Sequence, residues 1–467
     1  MKWMIVASAA ALAGCAPLTA DYKRPLEAKA NAPVALGILS GAGTSGHPPA
    51  DRWWESYRDN RLTALVDDAL EANTDVRAAL ATLARADAGL DLARDSRLPQ
   101  LSFQAQGAYA RDSAEEQLTA GPLPNERIYG LGAAVSYQVD LFGQVSRSIE
   151  MAGADRDAAA AAVAATRATI AAETVGAYID ICAAGREMGV AKEAVRIAGD
   201  QTALARRRVG GGRSPALDVS RSDAQEGTVR ASLPPLEARR TNALYRLAVL
   251  TGRFPGEVQA GIVDCVQEPT PATPIPVGDG ATLLRRRPDV AAAEAVLHAR
   301  TAELGVVTAN LYPRVSLGAA GASVGLMSRA FDDDTYKFSI GPLITWQFPN
   351  RRRADAQIKG ANASIDVARA QFDGVVLRAL REVESILSNY ARDIDRLHEL
   401  EAAQASAVRS AAQARALFEG GREGFLTVVD AERTRIAVDE LVAAQRTTIA
   451  RDQVTLFLAL GGGWPDR

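Results

Sequence analysis

A chain of 467 residues is long enough for one large domain or two to three ordinary ones. Hydrophobic residues at 48% and charged residues at 23% argue against both a disordered polymer and a polytopic helical membrane protein, and aromatics at only 5% beside abundant alanine favour long helices in close contact. A net charge of -3 with no dense basic stretch argues against nucleic acid as a partner, and three scattered histidines (His47, His298, His398) with three scattered cysteines argue against metal sites and most enzyme chemistry.

Residues 1–14 read as a signal peptide. Lys2 supplies the positive start, and Trp3–Ala13 form an apolar run too short to span a bilayer in the mature protein. The run ends Leu12-Ala13-Gly14-Cys15, which resembles the bacterial lipobox. The resemblance implies cleavage before Cys15 and a covalent lipid on it as the only attached group. Acyl chains contribute roughly 0.8 kcal/mol per buried CH₂, enough for stable anchoring by several chains. Ala16 in place of Asp resembles the outer-membrane-directed class of such signals. Cys182 lies in a helical stretch and Cys265 in a proline-rich connector; a disulfide between them is open in an oxidising compartment, but two buried or unpaired thiols are the favoured reading.

The chain repeats itself. A shift of 214 aligns Asp75–Ala108 with Asp289–Ala322 without a gap, keeping Pro99/Pro313, Ser102/Ser316 and Gly107/Gly321 in register. Further on the shift becomes 209, where Gly211-Gly212-Arg213 matches Gly420-Gly421-Arg422. The divisions expected are a lipid-anchored linker and equatorial segment (15–72), a first repeat (73–255), a proline-rich connector (256–282) and a second repeat (283–464).

Each repeat opens with a helix, Thr74–Arg97 and Pro288–Leu311, closed by a proline. A strand follows in which Leu101, Phe103, Ala105, Gly107 and Tyr109 alternate with Ser102, Gln104 and Gln106. A second strand puts Tyr129, Leu131, Ala133, Val135, Tyr137, Val139 and Leu141 on one face; its counterpart puts Phe338, Ile340, Pro342, Ile344, Trp346 and Phe348 there. Alternation over ten or more residues, ending in aromatics, is the pattern of a membrane β-strand, and taken alone fits a half-buried hairpin in a soluble domain equally well. Proline-free stretches then predict long helices over Ser146–Val209 and Arg353–Phe418, each roughly 95–100 Å long. Steps of four and three pick out a seam from Ile170 through Ile181 and Ala191 to Val209, and a second from Val376 through Leu387 to Leu397. The second seam turns polar at Glu401 and Gln404. After a glycine pair each long helix gives way to a return helix, Asp218–Leu250 and Val428–Leu460. Four membrane strands cannot close a barrel alone, and open edges in lipid cost several kcal/mol per unpaired group. Two copies would supply eight strands and three would supply twelve.

Several motifs resemble the outer-membrane efflux protein family, of TolC-like and OprM/NodT-type lipoproteins. They are Trp53-Trp54 with Asp59-Asn60, Asn73-Thr74-Asp75-Val76, Asp140-Leu141-Phe142-Gly143, Arg286-Arg287-Pro288-Asp289, and Leu458-Ala459-Leu460-Gly461-Gly462-Gly463-Trp464. The resemblance runs from the lipobox to the last residues. It implies an α+β membrane fold in which a homotrimer shares a twelve-stranded barrel, four strands per protomer, continuing into a periplasmic α-helical barrel with a small equatorial domain. It also implies an efflux channel, not an enzyme, working with a periplasmic adaptor and an inner-membrane RND-type transporter. By the same resemblance the two helix turns, with Gly211, Gly212, Ser214, Leu217 and Asp218 in one and Gly420 and Gly421 in the other, contact the adaptor. Phe418, Leu426, Thr427 and Asp430 stand where the family gates its channel, with Asp430 at the position of a constriction carboxylate. This chain departs from the family pattern in carrying Thr427 where a second acid is usual and Glu423 where an arginine serves. The exported compounds are expected to be small molecules such as drugs. Type I protein secretion and a pore-free structural coiled coil are the alternatives.

Overall fold

The structure is a computed structural model that describes residues 21–24, 44–45, 50–118, 120–257, 261–278, 280–347 and 351–462. The signal peptide, Cys15, His47, Phe348 and the Gly463-Trp464 end of the C-terminal motif lie outside the described residues.

In chain order the elements are β1 (Thr44–Ser45), a 3₁₀ turn (Trp53–Tyr57), α1 (Asn60–Ala72), α2 (Thr74–Asp95), β2 (Gln100–Ala110), β3 (Glu126–Val139), α3 (Gln144–Gly210), α4 (Ala216–Arg230) and α5 (Leu233–Leu250). Then come β4 (Ile275–Pro276), α6 (Gly280–Arg286), α7 (Pro288–Ala309), β5 (Arg314–Leu326), β6 (Tyr336–Thr345), α8 (Arg351–Glu419) and α9 (Phe425–Ala459). The first return helix differs from expectation. It is broken into α4 and α5, because Pro234 and Pro235 lack the N–H that a continuous helix needs and stand instead in the first turn of α5. Its counterpart α9 has no proline and runs unbroken.

The described residues form two compact units, each drawing segments from both repeats: 21–24, 82–159 and 293–372 in one, the other described residues in the second. The first holds a four-stranded antiparallel sheet of order β2-β3-β5-β6. The two hairpins therefore join through β3 and β5, one strand from each repeat, leaving β2 and β6 as edges. Asp140 starts the long helix beside this sheet, its carboxylate accepting from the backbone N–H groups of Val145 (2.9 Å) and Ser146 (2.8 Å). Gly143 makes the turn at φ 76°, and Phe142 stacks on Tyr312 at 4.7 Å. The Asp-Leu-Phe-Gly motif is thus a strand-to-helix cap.

The second unit is built on helix seams and a core in which the segment around Trp53 meets the last turns of α9. Ile170, Thr174, Ala177, Ile181, Ala184, Ala191, Ala198 and Ala205 of the first seam are buried, as are Val376, Val383, Leu387 and Tyr390 of the second. Where the second seam turns polar, Gln404 donates to Asp439 (2.7 Å) and Arg446 pairs with Glu401 (2.8 Å). Trp53 stacks on Phe457 at 4.7 Å, and Gly462 sits so close that a Cβ there would meet the Trp53 ring at 3.0 Å. The opening and closing motifs meet in one core. One contact favours protons: burial first, and the neighbouring Asp393 second, push the Asp452 carboxyl up to about 7. A raised carboxyl pKa stabilises the fold in acid, and this contribution is lost as pH rises through neutrality.

Corresponding positions of the two repeats do the same work. Asn73 caps α2, accepting from the N–H of Asp75, and its amide donates to the carbonyl of Leu250 at the end of α5 (3.1 Å). Arg287, 214 positions later, donates to the carbonyl of Ala459 at the end of α9 (2.9 Å) and to Asp289 and Glu382. Arg286 pairs with Asp51 (2.8 Å), Pro288 opens α7, and Asp289 accepts from the N–H of Val290. The Arg-Arg-Pro-Asp motif is a joint that locks the start of one helix to the end of another.

Cys182 and Cys265 form a disulfide, with their Cα atoms 4.6 Å apart, which corrects the reading of two unpaired thiols. The connector is folded back onto α3. Gly185 leaves no room for a side chain under the carbonyl of Cys265, and Arg186 pairs with Glu268. The bridge closes a sequence separation of 83 residues, worth about 4.5 kcal/mol in the chain-entropy model. Replacing both cysteines with serine should lower the thermal midpoint by several degrees and make the connector the first site of proteolysis. An unchanged midpoint in a scanning calorimeter would show that Arg186–Glu268 and the core hold it without the bridge.

Candidate functional site

The sheet has two chemically distinct faces. Pairing places Phe103, Ala133, Gly321 and Phe338 in one row, and Ala319 beside Ile340, Leu317 beside Pro342 and Val315 beside Ile344 on the same face. The opposite face carries the row Gln104, Gly132, Ala322, Lys337 and the row Ser102, Ala134, Ala320, Ser339. On the apolar face Phe338 is 85% exposed, Ile340 81% and Phe103 76%. Large aromatic and branched side chains left open to this degree need an apolar surrounding. Alternation with small and polar residues opposite is the arrangement of a membrane strand with a wet interior. Near one end of the sheet, the Tyr129 hydroxyl bonds to Ser323 (2.7 Å) and accepts from the N–H of Phe331 (2.8 Å), so the β5–β6 loop is pinned to β3. Edge strand β6 is exposed throughout, and β2 in all but its last residue.

The helix turns lie in the second unit, and their geometry repeats. At the end of α3 the N–H of Arg213 donates to the carbonyl of Arg208 (2.8 Å) with Gly212 at φ 68°. At the end of α8 the N–H of Arg422 donates to Leu417 (2.8 Å) with Gly421 at φ 67°. These are Schellman caps, in which only glycine enters the left-handed conformation without strain. Gly211 and Gly420 supply the preceding N–H, bonded to Arg207 and Ala416. The expected contact residues divide by exposure: Leu217 and Leu426 are exposed, while Asp218 is half-buried in the first turn of α4. Position 218 of the first turn corresponds to Thr427 of the second by the shift of 209, so the missing acid of one tip is present in the other.

Of the expected gate residues, Phe418 is half-buried and packs on Phe425 at 5.9 Å. Thr427 donates to Glu423 (3.1 Å), closing the turn on itself. Asp430 is exposed in the second turn of α9, and its carbonyl accepts from the Thr434 hydroxyl. The structure thus joins Phe418 to the neighbouring tip and leaves Asp430 facing away from the chain's own packing. Sequence reasoning missed Arg208. Its guanidinium lies 4.8 Å over the Phe418 ring, and its Nε donates to Ser214 (3.1 Å), so one residue ties the two tips together. The signal was the run Arg206-Arg207-Arg208 before the glycine pair, legible only as charge favouring a helix C-terminus. Behind the tip, buried Glu432 is held by Arg415 (2.6 Å) and Arg435 (3.1 Å).

An apolar-faced sheet with two open edges, together with long seamed helices ending in glycine turns, defines a subunit of a membrane channel. The model of the outer membrane efflux protein family matches residues 65–253 and 281–462. Outer membrane protein OprJ of Pseudomonas aeruginosa is 30% identical, covering 97% of this chain and 94% of its own. The cation efflux system protein CusC of Escherichia coli O157:H7 is 25% identical over 98% of this chain and 97% of its own. Among solved structures, that of the outer-membrane channel OprN superposes with a TM-score of 0.89 at 30% identity, covering 96% of this chain and 99% of that one. The chain belongs to the outer membrane efflux protein family, and it is an outer-membrane channel component of an efflux pump.

Proposed function

We propose that three copies of this chain share one twelve-stranded barrel and pass small toxic molecules outward, in series with a periplasmic adaptor and an inner-membrane RND-type transporter. The observation that carries the reading is the pair of open edges. β2 and β6 bound a sheet whose apolar face belongs in lipid, where each unpaired backbone group costs several kcal/mol. Pairing β6 of one copy with β2 of the next satisfies every edge. Twelve strands also leave room for a lumen lined by Gln104, Ser102, Lys337 and Ser339. Cys15 carries the lipid anchor, and the two glycine tips meet the adaptor. The family's relatives span cation efflux and other exports, so the transporter rather than this chain selects the cargo.

At the tips, Phe418 held by Arg208 narrows the entrance, and Asp430 from each copy forms a ring of carboxylates that favours cations. Phe418→Ala and Arg208→Ala should each raise resting single-channel conductance in planar bilayers severalfold, the second by freeing the first. Asp430→Ala should instead reduce cation preference with little change in conductance. If Asp430→Ala leaves selectivity unchanged, Asp430 is an ordinary surface carboxylate and the ring does not exist.

A further inference from the structure

The first unit contains a small built site filled by Asp21 and Tyr22. Tyr22 stacks on His298 with ring centroids 4.2 Å apart and planes 14° from parallel. Its hydroxyl donates to the carbonyl of Glu294 (3.4 Å), and burial pushes the phenol well above its ordinary range, so it stays neutral. Asp21 accepts from Arg147 (2.9 Å), whose side chain is only 12% exposed. Behind these contacts Glu150 holds both receiving groups: its carboxylate pairs with Arg147 and with His298 Nε2 (2.9 Å). Arg147 and Glu150 come from the first turns of α3, Glu294 and His298 from α7. Two helices from different repeats therefore present an aromatic plate and a cation in fixed positions, and a neutral ring and a carboxylate fill them.

We infer that this is a clasp for the lipidated N-terminus, with Tyr22 and Asp21 as the bound peptide and His298 and Arg147 as positioning residues. The inference rests on the reading of Cys15 as acylated. Reach supports it. Tyr22 lies seven residue steps after Cys15, a contour of at most about 25 Å. His298 lies eleven residues before the end of α7 at Ala309, about 16 Å along the helix, and β5 begins at Arg314. The tether is long enough for acyl chains to reach the level at which the membrane strands begin, and too short for them to reach much beyond it. The clasp thus places the anchor in the same leaflet that the barrel enters, instead of letting it range over the length of the chain.

Trypsin can test this on protein in isolated outer membranes, because Lys23 is exposed beside the clasp. The cut after Lys23, read as a new N-terminus at Arg24, requires residues 21–24 to lift off. Tyr22→Ala and His298→Ala should each speed this cut at least tenfold, and His298→Phe, which keeps the stack, should cut at close to the wild-type rate. Equal rates in wild type and Tyr22→Ala would overturn the clasp, as would a His298→Phe rate equal to that of His298→Ala. Mass measurement of the released peptide beginning at Cys15 separates the two readings. Acyl chains on it support the anchor, whereas a bare peptide overturns the assignment of the clasp to a lipidated terminus while leaving the cleavage rates as a test of docking alone.

Discussion

Ile340→Arg is expected to abolish the folded protein in the outer membrane, whereas Ser339→Arg, one residue earlier on the same strand, is expected to assemble. The two positions are both exposed on edge strand β6 and differ in face. An arginine on the lipid side of a membrane barrel costs about 2–4 kcal/mol near the midplane. In the proposed shared barrel three copies would incur it three times, which is comparable with the whole stability of a typical domain. On the opposite face the guanidinium introduced by Ser339→Arg would stand beside Lys337 and the small residues Ala320 and Ala322, in water. Its effect should be on ion selectivity. Outer-membrane fractions probed for the heat-modifiable, folded species decide it. Equal tolerance of both changes would mean that the apolar row does not face lipid.

Arg287→Ala should produce the second large effect, on stability. The guanidinium joins the last carbonyl of α9 to the first turn of α7 and to Glu382 of α8, and its own side chain is 12% exposed. Removal orphans a carbonyl and leaves the Asp289 and Glu382 carboxylates without their cation, Asp289 keeping only the N–H of Val290. Asp289 and Glu382 are each more than two-fifths exposed and regain water, which reduces the loss. A destabilisation of roughly 2–3 kcal/mol remains, from charge-assisted hydrogen bonds in a largely buried joint. Asn73→Ala, its counterpart in the first repeat, should cost about 1–2 kcal/mol, because it removes a neutral cap and one hydrogen bond. Urea unfolding of the detergent-solubilised protein gives both values. If Arg287→Ala costs no more than Asn73→Ala, the motif is not the stronger of the two joints.

Much of the architecture was legible because its signals are long. Alternation over ten or more residues and helix seams sustained for six or more turns leave little room for error, and the shifts of 214 and 209 reappear as repeated geometry. Gly252 and Gly461, 209 apart, both adopt φ 69° at the ends of α5 and α9. Gly252 packs on Ala72 and Gly461 on Arg286, positions themselves 214 apart. The Pro234-Pro235 break was present in the sequence but obscured by apolar periodicity on both sides. Other features depend on which distant segments meet, and no local pattern encodes that. The Cys182–Cys265 bridge needs the connector to fold back onto α3. The contact of Arg208 with Phe418 needs the two tips side by side, and the meeting of Trp53 with Phe457 needs two segments some four hundred residues apart in one core. The candidate gate residues were legible only as positions in a resembling motif; what their side chains touch came from the fold.

The open edges β2 and β6 are expected to be closed by other copies of the same chain. Native mass measurement of the protein extracted in mild detergent tests it most directly. The expected result is a complex of three chains that persists in mild denaturant and loses its β-sheet signal only when it dissociates. A single chain that retains the full β-sheet signal would contradict the shared barrel.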